Sequence, residues 1–509
     1  MWLLDVRTLQ LEEFFGSNIP PYAILSHTWG TEEVSFIEMK KPKYRKTAQR
    51  KAGFAKIEGC CIQAQRDGLS WAWVDSCCID KRSSALLQEA INSMFQWYRL
   101  SSRCYVHLSD VPSGSEAVRM LGKAQWFTRG WTLQELLAPQ KMMFFAQDWI
   151  PIGYKTSFRE EESQLLSPNG YAEKDKVYSY ANLTEQISTT TNIPIEFLIG
   201  KKGLSQACVA QRMFWASRRI TTRAEDRAYS LMGLFDISMP ILYGEGLEKA
   251  FTRLQREIIS RTTDQSILVW YRREATSYRL LAESPDCFQN SGSVMQLGRR
   301  GPSSAAAMTW SSFSMTNLGL RIMLPVATKS HISSFDFGDS AEATLHCVVD
   351  DDDGDPRRIS LCLLFLKTDL EGRPIFMCHR RRNWTFSTGD APPPIRMFLY
   401  GNDFTSEQKI FRPANVQVVL DLESRFLDIL ADEMGFSREE LVDDMSLTEL
   451  GADSLLFLTI SYRIQEEIGT DINHGIFMKY PTIGELKTYC GFSYSKPIYS
   501  CLEGDKVNM

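Results

Sequence analysis

Short apolar runs and amphipathic stretches alternate along the first third of the chain. Apolar runs bounded by polar residues or glycine predict buried strands at Tyr22–Ser26, Trp71–Asp75 and Cys104–Leu108. Helical spacing of apolar residues predicts helices at about 56–67, 84–98 and 131–137. Strands that alternate with helices predict a parallel sheet with helices on both faces.

The ends of these predicted strands bring polar residues to one rim of the sheet. In open α/β sheets, functional groups gather beyond the carboxyl ends of the strands. Ser26, His27 and Asp75 lie at such ends. Asp110 follows the third strand, and Glu135 lies in the helix that starts near residue 131. We therefore expect these five side chains on a common rim.

Two later segments carry further polar patterns. Four arginines are interleaved with Glu225 and Asp226, which predicts a surface helix with ion pairs; a site for an anionic ligand is the alternative. These arginines are Arg218, Arg219, Arg223 and Arg227. The Tyr243–Gly246 segment predicts a glycine-bracketed turn between helices.

The middle region, 271–400, is rich in β-prone runs. They include Arg321–Val326, Ala343–Val349 and Ile359–Leu366. Such runs predict an antiparallel sandwich or barrel. A proline-rich stretch then leads into a predicted linker at 401–415.

The last hundred residues have a helical pattern of a different kind. An amphipathic stripe that ends at Gly435 predicts a helix; its apolar members are Leu422, Phe426, Ile429, Leu430 and Met434. Thr482 and Glu485 fit a capping box. The segment Leu450–Leu455 places Ser454 at the start of an apolar helical run, where the positive end of the helix dipole favours a phosphate ester on its hydroxyl.

Composition and charge separate this segment from the rest of the chain. Residues 421–490 hold 15 acidic and 5 basic side chains, a net of −10, whereas the 509-residue chain carries only −5. Such asymmetry predicts separate domains with separate partners. No apolar run approaches about 18 residues and the N-terminus has no basic signal, so we expect a cytoplasmic protein that does not cross a membrane. The run Arg380–Arg382 is too short to indicate nucleic-acid binding, so we expect none. The cysteine and histidine spacings predict no metal site.

The C-terminal segment, 416–493, resembles an acyl or peptidyl carrier domain and is most similar to the carriers of fungal polyketide synthases. The resemblance rests on Leu450–Leu455, the preceding stripe and the Phe477–Leu486 segment. It implies an all-α four-helix bundle in which Ser454 carries covalent 4′-phosphopantetheine and holds an acyl group as a thioester. It also implies two kinds of partner: a phosphopantetheinyl transferase, and enzymes that load and process the acyl group.

The N-terminal segments resemble a fungal heterokaryon-incompatibility (HET) domain. The resemblance rests on Tyr22–Gly30, Trp73–Asp80 and Phe127–Pro139. It implies a core over 1–150, a helical extension over 151–270, and a role in non-self recognition and regulated cell death, with self-association of the module.

Glu135 is the candidate catalytic residue of this module. Gly130–Leu136 is similar to the W-C-x-x-E-L helix of TIR domains, with Thr132 in place of the cysteine. The similarity implies a TIR-like sheet and hydrolysis of NAD through Glu135. The alternative is that Glu135 is a buried ion-pair partner of Arg129 or of another base.

Two functions remain open at this point. In the first, the protein is a carrier that acts in trans in polyketide or related secondary metabolism, since no ketosynthase, adenylation or thioesterase signature is present. In the second, it is a signalling protein in which the carrier senses or tethers an acyl group and the HET module delivers the response.

Overall fold

A computed structural model describes the chain as two units, Met1–Asp403 and Phe404–Met509. The described residues are 1–16, 18–155, 180–271, 279–296, 313–316, 319–327, 339–350, 356–368, 373–379, 385–386, 394–400, 416–447, 454–468, 476 and 479–489. The predicted linker at 401–415 lies outside them. The finer domain boundaries predicted within the first unit stay predictions.

A mixed eight-stranded sheet forms the first part of unit one. Its strands are β1 Trp2–Asp5, β2 Leu11–Glu13, β3 Tyr22–His27, β4 Trp71–Trp73, β5 Arg103–His107, β6 Met142–Phe145, β7 Pro151–Lys155 and β8 Ala181–Asn182. They lie in the order β2-β1-β4-β3-β5-β6-β7-β8. The three predicted strands, β4, β3 and β5, pair in parallel as the sequence predicts, and β6, which was not predicted, adds in parallel to β5.

The sheet is not parallel throughout, so this part of the prediction was wrong. β2 and β1 pair antiparallel at one edge, and β7 adds antiparallel to β6 at the other. Antiparallel neighbours need only a short turn, whereas parallel neighbours need a crossover connection. This applies to β1 with β2 and to β6 with β7, which are also neighbours along the chain; the edge strand β8 pairs in parallel with β7.

The helices of unit one include the three that the apolar spacing predicts. In chain order the helices are α1 Phe36–Lys40, α2 Arg45–Ala48, α3 Ala52–Arg66, α4 Ser84–Leu100, α5 Ala117–Met120, α6 Thr132–Leu137, α7 Thr184–Thr191, α8 Ile195–Leu198, α9 Val209–Ser217, α10 Asp226–Tyr229 and α11 Leu247–Arg261. The three predicted helices are α3, α4 and α6. α3 ends before Gly68, whose φ of +75° suits glycine. α4 begins after Ser83, whose hydroxyl accepts a hydrogen bond from the Leu86 N–H.

The arginine-rich segment is mostly a loop, which corrects the predicted surface helix. α9 ends at Ser217 and α10 begins only at Asp226. Arg219, in this loop, is only 3% exposed because its guanidinium fills a polar niche inside the fold, described below. The turn predicted at Tyr243–Gly246 is confirmed: the Glu225 carboxylate accepts the N–H groups of Gly244 and Gly246 at 2.8 and 3.1 Å.

The middle region forms a second sheet. Its strands are β9 Val294–Gln296, β10 Ser314–Thr316, β11 Gly319–Ala327, β12 Ser340–Asp350, β13 Pro356–Thr368, β14 Pro374–His379, β15 Thr385–Phe386 and β16 Pro394–Tyr400. Five of these strands lie side by side in the spatial order β11, β16, β14, β13, β12. Because β12 also pairs with β11, they form a closed ring. This ring corresponds to the barrel alternative. All its pairings are antiparallel except that between β14 and β16.

Unit two is helical in its described residues. Its α-helices are α12 Val416–Met434, α13 Ser454–Ile468 and α14 Ile483–Tyr489. They share an apolar core, and its most buried members are Phe426, Ile429, Leu430, Leu447, Ile460, Ile464, Ile483 and Leu486. The fourth helix of the predicted bundle stays a prediction. Across the described parts of both units, no helix is long and apolar enough to cross a membrane.

Candidate functional site

The predicted rim of the first sheet holds two hydrogen-bonded groups. Ser26 and His27 are the last two residues of β3, and their side chains alternate to opposite faces. The hydroxyl of Ser26 reaches Glu135 on α6, and the ring of His27 reaches Asp75 just after β4. Four of the five residues predicted for the rim therefore lie there, as two hydrogen-bonded pairs.

Glu135 is enclosed by residues from three elements. Ser26 Oγ donates to Glu135 Oε2 at 2.5 Å and itself accepts from Trp126 Nε1 at 2.8 Å. Tyr98, on α4, lies beside the carboxyl group, and its hydroxyl donates to the Leu25 carbonyl at 2.9 Å. Only 7% of Glu135 is exposed to solvent.

Burial decides the protonation state of this carboxyl group. Removal from water raises the pKa of Glu135 to about 8, and the negative charge of Asp75 adds to this effect. The hydrogen bond from Ser26, the neighbouring Tyr98 hydroxyl and the charge of Arg219 act in the opposite direction but do not cancel it. Glu135 is therefore mostly protonated at neutral pH.

Arg129, the ion-pair partner named from the sequence, has a different contact. Its guanidinium donates to Thr222 Oγ1 at 3.0 Å. Arg219 is the cation whose charge acts on Glu135, and burial lowers its pKa. The Arg219 guanidinium donates to Thr132 Oγ1 and to the Arg129 carbonyl, both at 2.9 Å, so Thr132 takes part in the site as a hydrogen-bond acceptor.

The second group on the rim is a histidine–aspartate pair. His27 Nε2 lies 2.9 Å from Asp75 Oδ1, and Trp29 Nε1 donates to the other carboxylate oxygen at 2.7 Å. Burial alone would raise the pKa of Asp75, but the hydrogen bond and charge of His27, with the charge of Lys81, bring it down to about 2. Asp75 is therefore a carboxylate anion across the physiological range.

Asp110 does not join this cluster through its described contacts. Its carboxylate accepts the backbone N–H of Gln125 at 2.8 Å, at the start of a 3₁₀ turn. Trp126, Tyr98 and Arg219 were missed as site residues. A buried tryptophan or tyrosine needs a hydrogen-bond partner for its polar atom. This rule was the one indication in the sequence that Trp126 and Tyr98 would lie beside polar groups.

The second candidate site lies in unit two, at Ser454. Ser454 is the first residue of α13, a helix of 15 residues, where the sequence predicts it. The preceding residues of the motif, Leu450–Asp453, lie outside the described part of the chain. The backbone amides of a first helical turn have no partners within the helix, and they create a partial positive charge there.

The segment that leads to Ser454 is attached to the start of α14. The N–H groups of Ile483 and Gly484 donate to Met445 O and Asp443 O at 3.0 and 2.7 Å. The predicted capping box is present: Thr482 N–H donates to the Glu485 carboxylate, and Glu485 N–H donates to Thr482 Oγ1. The closing helix thus fixes the chain shortly before the candidate serine.

Ion pairs offset only part of the negative charge around this site. Arg463 contacts Glu433 at 2.8 Å, and Lys487 contacts Asp443 at 2.6 Å. Five basic side chains cannot neutralise the fifteen acidic ones between residues 421 and 490. Unit two therefore presents a strongly negative surface.

Three sequence families match segments of this chain. The family described as heterokaryon incompatibility protein (HET) matches residues 22–121, and the phosphopantetheine attachment site matches 424–490. A domain of unknown function (DUF8212) matches 249–313. The chain therefore contains a HET domain and a phosphopantetheine attachment domain, and the latter implies covalently attached 4′-phosphopantetheine.

Individual relatives match one part of the chain each. Vegetative incompatibility protein HET-E-1 of Podospora anserina is 46% identical over 255 residues, which are 48% of this chain and 16% of that protein. Conidial pigment polyketide synthase alb1 of Aspergillus fumigatus is 38% identical over 99 residues, 19% of this chain and 4% of the synthase. Polyketide synthase 2 of Metarhizium anisopliae is 47% identical over 77 residues, 15% of this chain and 4% of that synthase. The chain thus spans less than a fifth of each relative, and no solved structure matches it.

Proposed function

We propose that the protein is an acyl carrier that acts in trans, with 4′-phosphopantetheine on Ser454. The position of Ser454 carries this proposal, because it is the first residue of α13 within the matched attachment segment. The partial positive charge at that helix end suits the phosphodiester that the attachment creates. Once attached, the arm supplies the thiol that holds an acyl group as a thioester.

The chain's own residues contribute orientation and electrostatics to this role. The contacts of Met445 and Asp443 with α14 hold the approach to the serine. The excess of acidic side chains favours docking to basic surfaces on a phosphopantetheinyl transferase and on enzymes that load or process the acyl group.

The pathway and compartment are also part of the proposal. The relatives that match unit two are named as polyketide synthases, which supports partner enzymes from polyketide or related secondary metabolism. We place this activity in the cytoplasm, since the described cysteines are free thiols and nearly all of them are buried.

Attachment can be tested on the full-length protein with coenzyme A and a broad-specificity phosphopantetheinyl transferase. The Ser454 hydroxyl displaces 3′,5′-adenosine bisphosphate from coenzyme A, so the protein gains one phosphopantetheine mass. Intact-mass spectrometry should show this gain in the wild type and no gain in Ser454→Ala. Ser461→Ala is the matched control, because Ser461 lies on the same helix and donates only to the Phe457 carbonyl. An unmodified wild type, or an equal gain in Ser454→Ala, contradicts the proposal.

For the HET module, we propose a second function in incompatibility signalling, with hydrolysis of NAD through Glu135 as its chemistry. Two observations favour it. The parallel order β4-β3-β5-β6 brings the Glu135 carboxyl and the His27–Asp75 pair to one rim, and the HET portion is 46% identical to a vegetative incompatibility protein. In this reaction water attacks the ribose carbon, the bond to nicotinamide breaks, and the Glu135 carboxylate stabilises the positive charge that develops on the sugar.

The raised pKa of Glu135 gives this second proposal a distinctive pH dependence. A group with a pKa of about 8 is mostly protonated at pH 6, so the ionised fraction rises steeply up to pH 8. Nicotinamide release by the full-length protein, clustered with a bivalent crosslinker to mimic self-association, should rise in parallel and then level off. Glu135→Gln should abolish release, and Asp110→Asn, whose carboxylate holds Gln125 instead, is the control. Release that is flat with pH, or that survives Glu135→Gln, rules out this role for Glu135.

A further inference from the structure

A cavity of about 810 Å³ lies in the helical part of unit one. It is bounded by the end of α4, the segment that follows α6, the loop after α8, and the last turn of α11. Glu135 and Asp75 are not among its lining residues. Its volume falls within the range of about 300–1,000 Å³ that is typical of small-molecule sites.

The charged residues that line this cavity are strongly unbalanced. Four of them are cationic and one, Asp236, is acidic. The cationic residues come from four separate segments and are Arg99, Lys202, Arg212 and Arg261. Cations gathered around one recess repel each other, and the low-dielectric walls of a recess strengthen that repulsion. A polyanion in the cavity would convert this repulsion into attraction.

Arg212 is the fixed cation of the group. Its Nη1 donates to the Leu234 carbonyl at 2.9 Å, and its guanidinium lies 4.3 Å from the centre of the Phe235 ring. Burial lowers the pKa of Arg212, and the charge of Asp264 partly opposes that effect. Asp264 is itself occupied, since its carboxylate accepts the N–H groups of Val209 and Ser266. Arg212 is thus held in place before any ligand arrives.

The other three cations lie at the lip of the cavity. Arg99 and Lys202 are exposed residues, so their side chains can move toward a ligand at little cost. Arg261 is also exposed, and its Nη1 donates to the Asp236 carbonyl at 2.8 Å, which leaves the other nitrogens of its guanidinium for a ligand. Lys202 pairs with Glu196 at 3.7 Å, and their side chains are 49% and 41% exposed. Such a pair contributes little stability and is readily exchanged for a stronger anion.

We propose that this cavity binds a compact polyphosphate, with Arg212 as the fixed contact and the three lip cations around the remaining charge. A guanidinium fork suits phosphate oxygens, and several cations at once suit a ligand with several negative charges. A nucleotide and an inorganic polyphosphate share this chemistry. The half-buried rings of Phe95 and Phe235 offer a nucleotide additional apolar contact. This binding site is separate from the carrier serine and from the Glu135 rim.

Isothermal titration calorimetry of the full-length protein at low salt, with a chelator present, tests the proposal. The probes are ATP, inorganic tripolyphosphate and adenosine. We expect both polyphosphates to bind and adenosine not to bind. Tighter binding of ATP assigns the cavity to a nucleotide, and equal binding assigns it to the phosphate chain alone; both results support the proposal. Adenosine that binds as well as ATP, or ATP that does not bind at up to about 1 mM, overturns it.

Paired variants locate the binding. The double variant Arg99→Gln, Lys202→Gln removes two exposed lip cations and should weaken ATP binding by at least about tenfold, or about 1.4 kcal/mol. The double variant Arg66→Gln, Lys249→Gln removes two exposed cations outside the cavity and should bind as the wild type does. Melting temperatures of both variants should match the wild type. Equal affinities in the two double variants would place the bound anion elsewhere and overturn the proposal.

Discussion

Replacement of Glu135 by glutamine should change how the stability of unit one depends on pH. The amide has the shape and neutrality of the protonated carboxyl group, and it still accepts the hydrogen bond that Ser26 Oγ donates to Glu135. The wild-type carboxyl group must ionise when the protein unfolds above its ordinary pKa, whereas glutamine cannot. The variant therefore removes one proton-linked contribution and leaves the packing nearly intact.

The raised pKa fixes the sign and size of this contribution. Glu135 has a pKa of about 8 in the folded protein against an ordinary value of 4.5. Its stabilising effect is complete below pH 4.5 and is lost as the pH rises to 8, because the unfolded state binds fewer protons than the folded state over that window. The loss amounts to about 1.4 kcal/mol per pH unit, on the order of 4–5 kcal/mol in all.

Urea unfolding followed by tryptophan fluorescence isolates this effect. All twelve tryptophans lie before residue 404, so their signal reports unit one alone. The free energy of unfolding of Glu135→Gln should rise relative to the wild type by about 1.4 kcal/mol per unit between pH 5 and 8, then stay constant. Glu89→Gln, an exposed position on α4, should follow the wild-type curve. If the free energies of unfolding of Glu135→Gln and the wild type change with pH in parallel, the conclusion that Glu135 is protonated is refuted. If the variant loses stability relative to the wild type as the pH rises, Glu135 is an ionised, paired carboxylate.

Three further changes have clear expected outcomes. Gly484→Ala should destabilise unit two by about 1–3 kcal/mol in thermal unfolding followed by far-ultraviolet circular dichroism, because an added Cβ would lie 2.9 Å from Asp443 O; a melting temperature equal to that of the wild type would contradict the close contact. Lys155→Met should lower the unfolding free energy of unit one by about 2–4 kcal/mol in the same fluorescence assay, since Lys155 Nζ donates to Leu136 O and Pro139 O, and two buried carbonyls would lose their partner; an unchanged value would show that the chain relaxes around them. A fragment spanning residues 412–495 should give a helical circular dichroism spectrum at low temperature, because unit two has its own apolar core; a disordered spectrum would show that it depends on the rest of the chain.

Local sequence patterns predicted the central strands and the longer helices well, because the apolar spacing within each of these segments is regular. β3, β4 and β5 coincide with apolar runs, and α4 follows its predicted spacing closely. The edge strands β1, β2, β7 and β8 were missed because they are only two to five residues long and partly exposed, and the four-residue β6 was missed as well. Short, half-buried strands carry little periodic signal of their own.

The two candidate sites also differed in how far local sequence could predict them. Ser454 was placed at a helix start by a compact local motif and the spacing around it, and the structure puts it there. The state of Glu135 depends instead on Ser26, Tyr98 and Arg219, which act on it from distant parts of the chain, and Trp126 holds the Ser26 hydroxyl. Burial of this kind is created by tertiary packing, so the sequence left both a buried ion pair and a catalytic carboxylate open. The structure favours a protonated carboxyl group.

The most direct test of the carrier proposal is peptide mapping of the protein purified from cells that express it naturally. Trypsin cleavage after Arg438 and Arg463 releases the peptide Glu439–Arg463, which holds Ser446, Ser454 and Ser461. Fragmentation by mass spectrometry should locate one phosphopantetheine arm on Ser454, with an acyl group on the arm in part of the population. A peptide without the arm, or an arm on Ser446 or Ser461, would contradict the proposal that Ser454 is the working centre of this protein.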